Sequence, residues 1–554
     1  MKQFLISFAF LLNVMAAYGQ KEPVFTHADT LRGTLSAERK CYDVFFYDLH
    51  LTIKPDERSI AGYNVIGFKA VTTFSRMQVD LFKNMEVDSI MHGSSKLRYT
   101  RDGNAMFLQF PSQEVAGIKD SIKVFYHGFP RVAVNPPWDG GFVWSKDSTG
   151  KTWVGVACEG TGASLWWPCK DHLSDKPDSM RMSFDVPDSL ICVSNGRLRS
   201  EKKLNNGFTR FTWFVSLPII NYDVTLNIAD YAHIKDDYES GQDTLSLDYF
   251  VLKYHEKKAR AYFERVKPMM ACYEKYFGRY PFWKDGYKLV ETNYWGMEHQ
   301  SCVAYGNNYH LNNYGFDFII VHESAHEWWG NNLSCSDEAD MWLHESFATY
   351  AEALYLECTQ GYKVSLDYLN MQRTGIENNY PIIGPYNVNF QGVDNDNDMY
   401  YKGAWVLHTF RHVLNNDSLF FSILKGLQEK FKYSSTNTAD VVKYISKMAG
   451  KDYAPFFTQY LYHSSPPVFD YKVYTKNGVT MLTYRWQADV KGFTMPIKVT
   501  SSVRDGVNAY TSIYPTLEWQ TITLGNVSPA QFSTDKDDFY TFLKDESESS
   551  KENK

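Results

Sequence analysis

The stretch Ile319–Leu333, IIVHESAHEWWGNNL, sets His322 and His326 four residues apart and puts Glu323 directly after the first. On a helix, residues four apart share a face. Two imidazoles there can hold one metal ion, and the intervening carboxylate can reach a water beside it. The preceding residues, FDFIIV, are apolar apart from Asp317, so this helix is expected to emerge from the core rather than lie in a solvated loop.

Eighteen residues separate His326 from Glu345, enough for one helix to end and another to return alongside. The second helix is expected over ADMWLHESFATYAEALYLECTQG, with Asp340 capping its start and Gly361 ending it. Glu345 can then complete a His/His/Glu set. Three protein ligands leave a fourth position open, which marks a catalytic rather than a structural zinc. Zinc lowers the pKa of a bound water from 15.7 to about 7, and Glu323 is placed to take that proton. Glu352, seven residues after Glu345, falls on the same helical face. It can orient a ligand histidine or serve as a solvated carboxylate.

A chain of 554 residues is too long for one ordinary core and suggests three or so domains. The net charge of −7 argues against nucleic acid, which needs a basic face. Residues 1–19, MKQFLISFAFLLNVMAAYG, read as a secretory signal peptide: a lysine, an apolar run too short to span a bilayer, then small residues. No later segment is apolar enough to span a membrane. The mature protein is expected to be exported, periplasmic or secreted. None of the eight cysteines forms a C-x-x-C pair, and spacing cannot assign disulfide partners.

The expected fold class is multidomain α+β. Strand-like alternation, with a hairpin at Asp102-Gly103, implies an all-β N-terminal domain over 20–235. Longer helical periods begin near residue 252 in LKYHEKKARAYFERVKPMMACYEKYFG, and a mainly α domain is expected over 236–465. After SSPPVF, strand patterning turning on Asn477-Gly478 implies a small β-sandwich-like domain over 466–540. The charged tail 541–554 is expected to be disordered.

Taken together, HESAHEWWGN, WLHESFATYAE, YWGMEHQS, YFGRYPF, YYKGAWVL and VACEGTGASLWWPCKD resemble the M1 family of zinc aminopeptidases, a gluzincin group with a thermolysin-like catalytic domain. The resemblance implies that His322, His326 and Glu345 bind one Zn2+ and that Glu323 is the general base. It makes Tyr400, two residues before the lysine of YYKG, the donor to the oxyanion, with Tyr401 as the adjacent alternative. Glu298 and Glu159 would grip the free α-amine of a peptide, and Gly296 and Met297 belong to the strand that holds its backbone. Physical reasoning supports the two glutamates: carboxylates at the end of a cleft pair with a terminal ammonium and would be left unpaired by an internal amide.

Two departures stand out. The family's G-A-M-E-N reads Trp295-Gly296-Met297-Glu298-His299 here, and Ala157 replaces a glutamine two residues before Glu159. The family's large helical C-terminal domain has no counterpart in the sequence, so a more open cleft is expected. A thermolysin-like endopeptidase and a non-catalytic binding module are the alternatives; the first has no need of Glu159 or Glu298. Oligomeric state is not legible.

Overall fold

The computed structural model describes residues 24–389 and 397–547. The signal-peptide expectation falls outside these residues. Two short helices, His27–Gly33 and Ala37–Lys40, precede the first strand. The N-terminal region is otherwise β-rich. Tyr42–Lys54 pairs antiparallel with Ser59–Ala70 and parallel with Ser179–Pro187 in an eight-stranded sheet. Alternating side chains along Phe208–Val215 are buried and half-buried, as one covered sheet face requires. A four-stranded sheet contains Thr152–Ala157, and this strand delivers the chain to Glu159.

The central region opens with a five-stranded sheet. Its strands are β1 (Tyr231–Ser240), β2 (Asp243–Leu252), β3 (Tyr287–Glu291), β4 (Gly296–Met297) and β5 (Val303–Tyr305), in the order β1-β2-β3-β5-β4. Strand β4 is an edge, bonded to β5 through Gly296↔Tyr305 and Met297↔Ala304. Five of the helices around it matter for the site: α1 (Val266–Phe277), α2 (Phe318–Ala325), α3 (Trp342–Gln360), α4 (Tyr362–Arg373) and α5 (Tyr401–Leu414). The helix expected after residue 252 is divided: Glu256–Tyr262 gives way to a tight turn at Phe263–Arg265 before α1 begins. Pro268 explains the break, because its ring crowds the carbonyl of Glu264 and it has no N–H to donate.

Asp340 does not cap α3. Its carboxylate instead accepts hydrogen bonds from Thr438 N, Thr438 Oγ1 and Tyr386, and Met341 occupies the cap position with no side-chain bond. Gly361 does end α3, at φ 95°, a left-handed conformation that glycine adopts without steric cost. A disulfide joins Cys272 of α1 to Cys358 of α3 with Cα atoms 6.1 Å apart; the six other cysteines are buried thiols.

The C-terminal region is a small pair of sheets. Val468–Lys476 and Val479–Gln487 form a hairpin whose turn residues, Asn477 and Gly478, have φ of 54° and 79°. Both being positive matches the right-handed twist of the strands. The expected disordered tail is corrected for its first part. Phe542–Asp545 adds to this sheet parallel to Val468–Lys476, and the Ser547 hydroxyl accepts from Val473 N. Backbone pairing holds Phe542–Asp545, where two apolar residues precede the charged run; 548–554 lie outside the described residues.

Two apolar cores meet at the five-stranded sheet. One fills the N-terminal sheets and takes in Tyr294, Met297 and Ala304. The other runs through the helices and continues into Phe469 and Trp486 of the C-terminal sheets. Edge strand β4 therefore sits on the seam between the β-rich region and the helices, and the polar site gathers there.

Candidate metal centre and cleft

Helix α2 carries His322 in its last turn, and His326 follows as its C-terminal cap. Asp317 caps the start by accepting from Ile320 N at 3.1 Å. Its other oxygen receives the hydroxyls of Tyr262 and Tyr305, each at 2.8 Å, so the helix is fixed at its entry. Helix α3 is buried on every face from Trp342 to Leu356. Polar side chains inside such a helix need partners, and those partners define the site.

Three atoms converge. His322 Nε2 lies 3.3 Å from His326 Nε2, and Glu345 Oε2 lies 3.4 and 3.5 Å from the two nitrogens. Tetrahedral zinc with bonds near 2.0–2.1 Å sets its ligand atoms about 3.3 Å apart, so the triangle has the size such an ion requires. Hydrogen bonding fixes the tautomers. His322 Nδ1 is 2.7 Å from Glu352 Oε1, and His326 Nδ1 is 2.8 Å from the carbonyl of Trp329. Both acceptors require Nδ1–H donors, which leaves each Nε2 as a lone pair. Two lone pairs and a carboxylate oxygen facing one another form a donor set for a cation. The residues fit zinc.

Glu352 is fully buried, and its second oxygen accepts from Tyr368 and, at 3.1 Å, from Gln372, both on α4. The solvated-carboxylate reading of Glu352 is thereby overturned. Glu323 also comes to the centre: a carboxylate oxygen lies within 4.8 Å of the histidine nitrogens. Burial, opposed by His322 and reinforced by Glu298, pushes its carboxyl up to about 7.

Glu298 follows β4 and offers an oxygen within 4.8 Å of a ring nitrogen of His326 and a carboxylate oxygen of Glu345. Burial raises its pKa, His326 opposes this, and Glu345 adds to it. Burial, then the charges of Glu298, Glu345 and Glu323, hold Glu159 well above the ordinary carboxyl range. Tyr400, at the N-terminus of α5, has its ring 6.3 Å from that of His322. Burial and the same four glutamates, Glu345 first, raise its phenol well above 10, so it remains a proton donor. Tyr401 turns the other way, packing its ring on Gly375. The structure thus brings His322, Glu323, His326, Glu345, Glu298, Glu159 and Tyr400 to one site. Gly296 lies against it as well: a Cβ there would stand 2.6 Å from Glu323 Oε1 and 2.7 Å from Ile319 Cδ1. Met297 points into the N-terminal core, leaving its backbone at the edge.

Sequence reasoning missed Tyr222. Its hydroxyl donates to Glu298 Oε1 at 3.0 Å and lies 3.4 Å from His344 Nδ1. His344 Nε2 accepts from Cys335 N at 2.8 Å, which places the histidine's proton on Nδ1 and aims it at the tyrosine oxygen. The result is a directed chain, Cys335 N to His344 to Tyr222 to Glu298. No motif flags Tyr222, which comes from a loop of the β-rich region.

A zinc-binding gluzincin fold is what this helix pair and His/His/Glu triangle define. Residues 261–460 match the model of the peptidase family M1 domain, and the fold is that of solved M1 zinc metallopeptidases. An M1 zinc metallopeptidase from Deinococcus radiodurans, solved bound to a Tyr-Ser-Ala substrate, superposes with a TM-score of 0.66 at 20% identity, covering 78% of this chain and 97% of that one. Among curated proteins, mouse endoplasmic reticulum aminopeptidase 1 is 23% identical over 301 residues, covering 51% of this chain and 32% of the relative. Aminopeptidase N of Streptomyces lividans is 27% identical over 264 residues, 42% of this chain and 30% of the relative. The chain therefore spans about a third of the length of these two curated relatives. No described helix is long and apolar enough to cross a membrane.

Proposed function

We propose that the protein is a zinc-dependent aminopeptidase that removes the N-terminal residue of peptides. One observation carries this reading. Glu298, only 2% exposed, and Glu159 share a site with the metal triad, and each is held above its ordinary pKa by burial first and by neighbouring carboxylates second. Such a crowd of acids, most of them buried, calls for cations: a metal at the triad and a substrate ammonium at Glu298 and Glu159.

His322, His326 and Glu345 would hold the zinc. Bound there, zinc supplies Lewis acidity, making water a nucleophile near neutral pH and polarising the scissile carbonyl. Glu298, oriented by Tyr222, and Glu159 receive the free ammonium and set how far a peptide can enter. The free edge of β4 offers Gly296 and Met297 backbone groups for strand addition. Glu323 takes a proton from water and passes it to the departing amine. Tyr400 donates from its phenol to the oxyanion.

The endopeptidase alternative leaves Glu298 and Glu159 without a task. A panel of aminoacyl amides, with and without a chelator and with free or acetylated amines, tests the reading. Chelator-sensitive release from free amines alone is expected; equal release from capped substrates refutes it. Export is part of the proposal, supported by the signal-like leader and by the Cys272–Cys358 disulfide, which persists in oxidising compartments.

A further inference from the structure

From solvent to the metal triad runs a ladder of aromatic rings. Trp138 is 63% exposed and packs at 5.9 Å on Trp295, which is itself 41% exposed. Trp295 stacks on Phe318 at 5.2 Å and 14°, and Phe318 stacks on the ligand His322 at 5.1 Å and 16°. The second rung is tied to the helix cap. Trp295 Nε1 donates to Asn307 Oδ1 at 3.3 Å, and Asn307 donates at 3.0 Å to Asp317, the cap of α2. Two tryptophans left this exposed, beside a polar cleft, form the kind of apolar patch that marks a binding surface.

Register says what the patch faces. Glu298 lies at the closed end, where the ammonium sits under the proposed function. Gly296 abuts Glu323, which marks the bond to be cut. Trp295 is one residue farther outward along the same edge. At about 3.3 Å per residue it stands roughly 10 Å from Glu298, past the scissile bond and on the leaving side.

We propose that Trp295, backed by Phe318 and Trp138, is a shelf that binds an aromatic side chain on the substrate's second residue. The specificity lies in the chain being released, not in the residue removed. Stacking of one aromatic pair beyond simple burial is worth about a three- to tenfold preference. Trp295 does not touch the reacting atoms, so the gain appears in KM rather than kcat. The inference rests on the aminopeptidase reading for its direction along the cleft.

The test compares Ala-Phe-Ala with Ala-Gly-Ala. For the zinc-loaded native protein, kcat/KM is expected to favour the phenylalanine peptide by about tenfold. That ratio is expected to fall toward one in Trp295→Gly, to survive in Trp295→Phe, and to shrink in Trp138→Ala, with zinc content unchanged. Calorimetry on the Glu323→Gln protein gives a second readout, with the phenylalanine peptide expected to bind about tenfold tighter. If neither peptide is cut, the aminopeptidase reading fails while the binding ratio still decides the shelf. A ratio near one in the native protein, or one unaltered in Trp295→Gly, overturns the shelf. So does a Trp295→Gly protein that loses zinc but keeps the preference, because the stack would then serve only to seat His322.

Discussion

Glu352 holds His322 by its Nδ1 at 2.7 Å, and Tyr368 and Gln372 in turn hold Glu352. A ligand histidine so fixed presents Nε2 to the cation without losing rotamer freedom on binding. Outer partners of this kind are worth 10–100-fold in metal affinity. Glu352→Ala is expected to weaken zinc binding by about that factor, measured by competition with a chelating dye. An unchanged affinity would show that the hydrogen bond is incidental.

Glu323 sits beside the triad without belonging to it. Replacing it with glutamine removes the proton acceptor and keeps the shape. The expected outcome is a fall in kcat of about 10²- to 10⁴-fold with one zinc still bound per chain. Full activity in Glu323→Gln would sink the proposed chemistry, whereas loss of the metal would mean that Glu323 is a ligand.

Tyr222 acts at a distance from the reacting bond. Its hydroxyl is the donor to Glu298 Oε1, and without it a buried carboxylate oxygen loses a partner at a cost of about 1–2 kcal/mol. Tyr222→Phe is therefore expected to raise KM for free-amine substrates about 5- to 30-fold, with a smaller change in kcat. A purely structural role would lower thermal stability and leave KM alone.

His299 gives a pH signature. It is fully buried, and burial pushes its pKa down to about 3. The unfolded chain takes up this proton near 6.5, the folded chain only near 3, so His299 costs stability progressively as pH falls below 6.5. The slope is on the order of 1 kcal/mol per pH unit. Glu327, raised to about 8 by burial, works in the opposite direction over pH 8 to 4.5, so the comparison with His299→Asn matters. Urea unfolding from pH 7 to 4.5 is expected to show the native protein losing stability relative to that variant. Parallel curves would contradict the assignment.

Some of this was legible in the sequence for a simple reason. The four-residue spacing of His322 and His326 matches a helical turn, and Asn477-Gly478 matches a turn that needs positive φ. Local rules failed where a distant partner won. Asp340 has the composition of a cap, yet Thr438, 98 residues away, takes its carboxylate. Tyr222 and Glu298 are 76 residues apart, and Cys272 and Cys358 are 86 apart. No spacing rule links such pairs; only the packing of α3 against α1 and of the β-rich loops against the helices brings them together. Trp295 was visible as a departure from a family pattern, but its stack on Phe318 required the fold.

The most direct measurement offers the zinc-loaded protein one peptide in two forms, with a free and with an acetylated N-terminus, and follows release of the first residue or any internal cleavage. The account expects the free form to be cut at least 10³-fold faster, because an acetylated end leaves buried Glu298 and neighbouring Glu159 without an ammonium. Comparable rates on the two forms, or cleavage within the capped peptide, would contradict it.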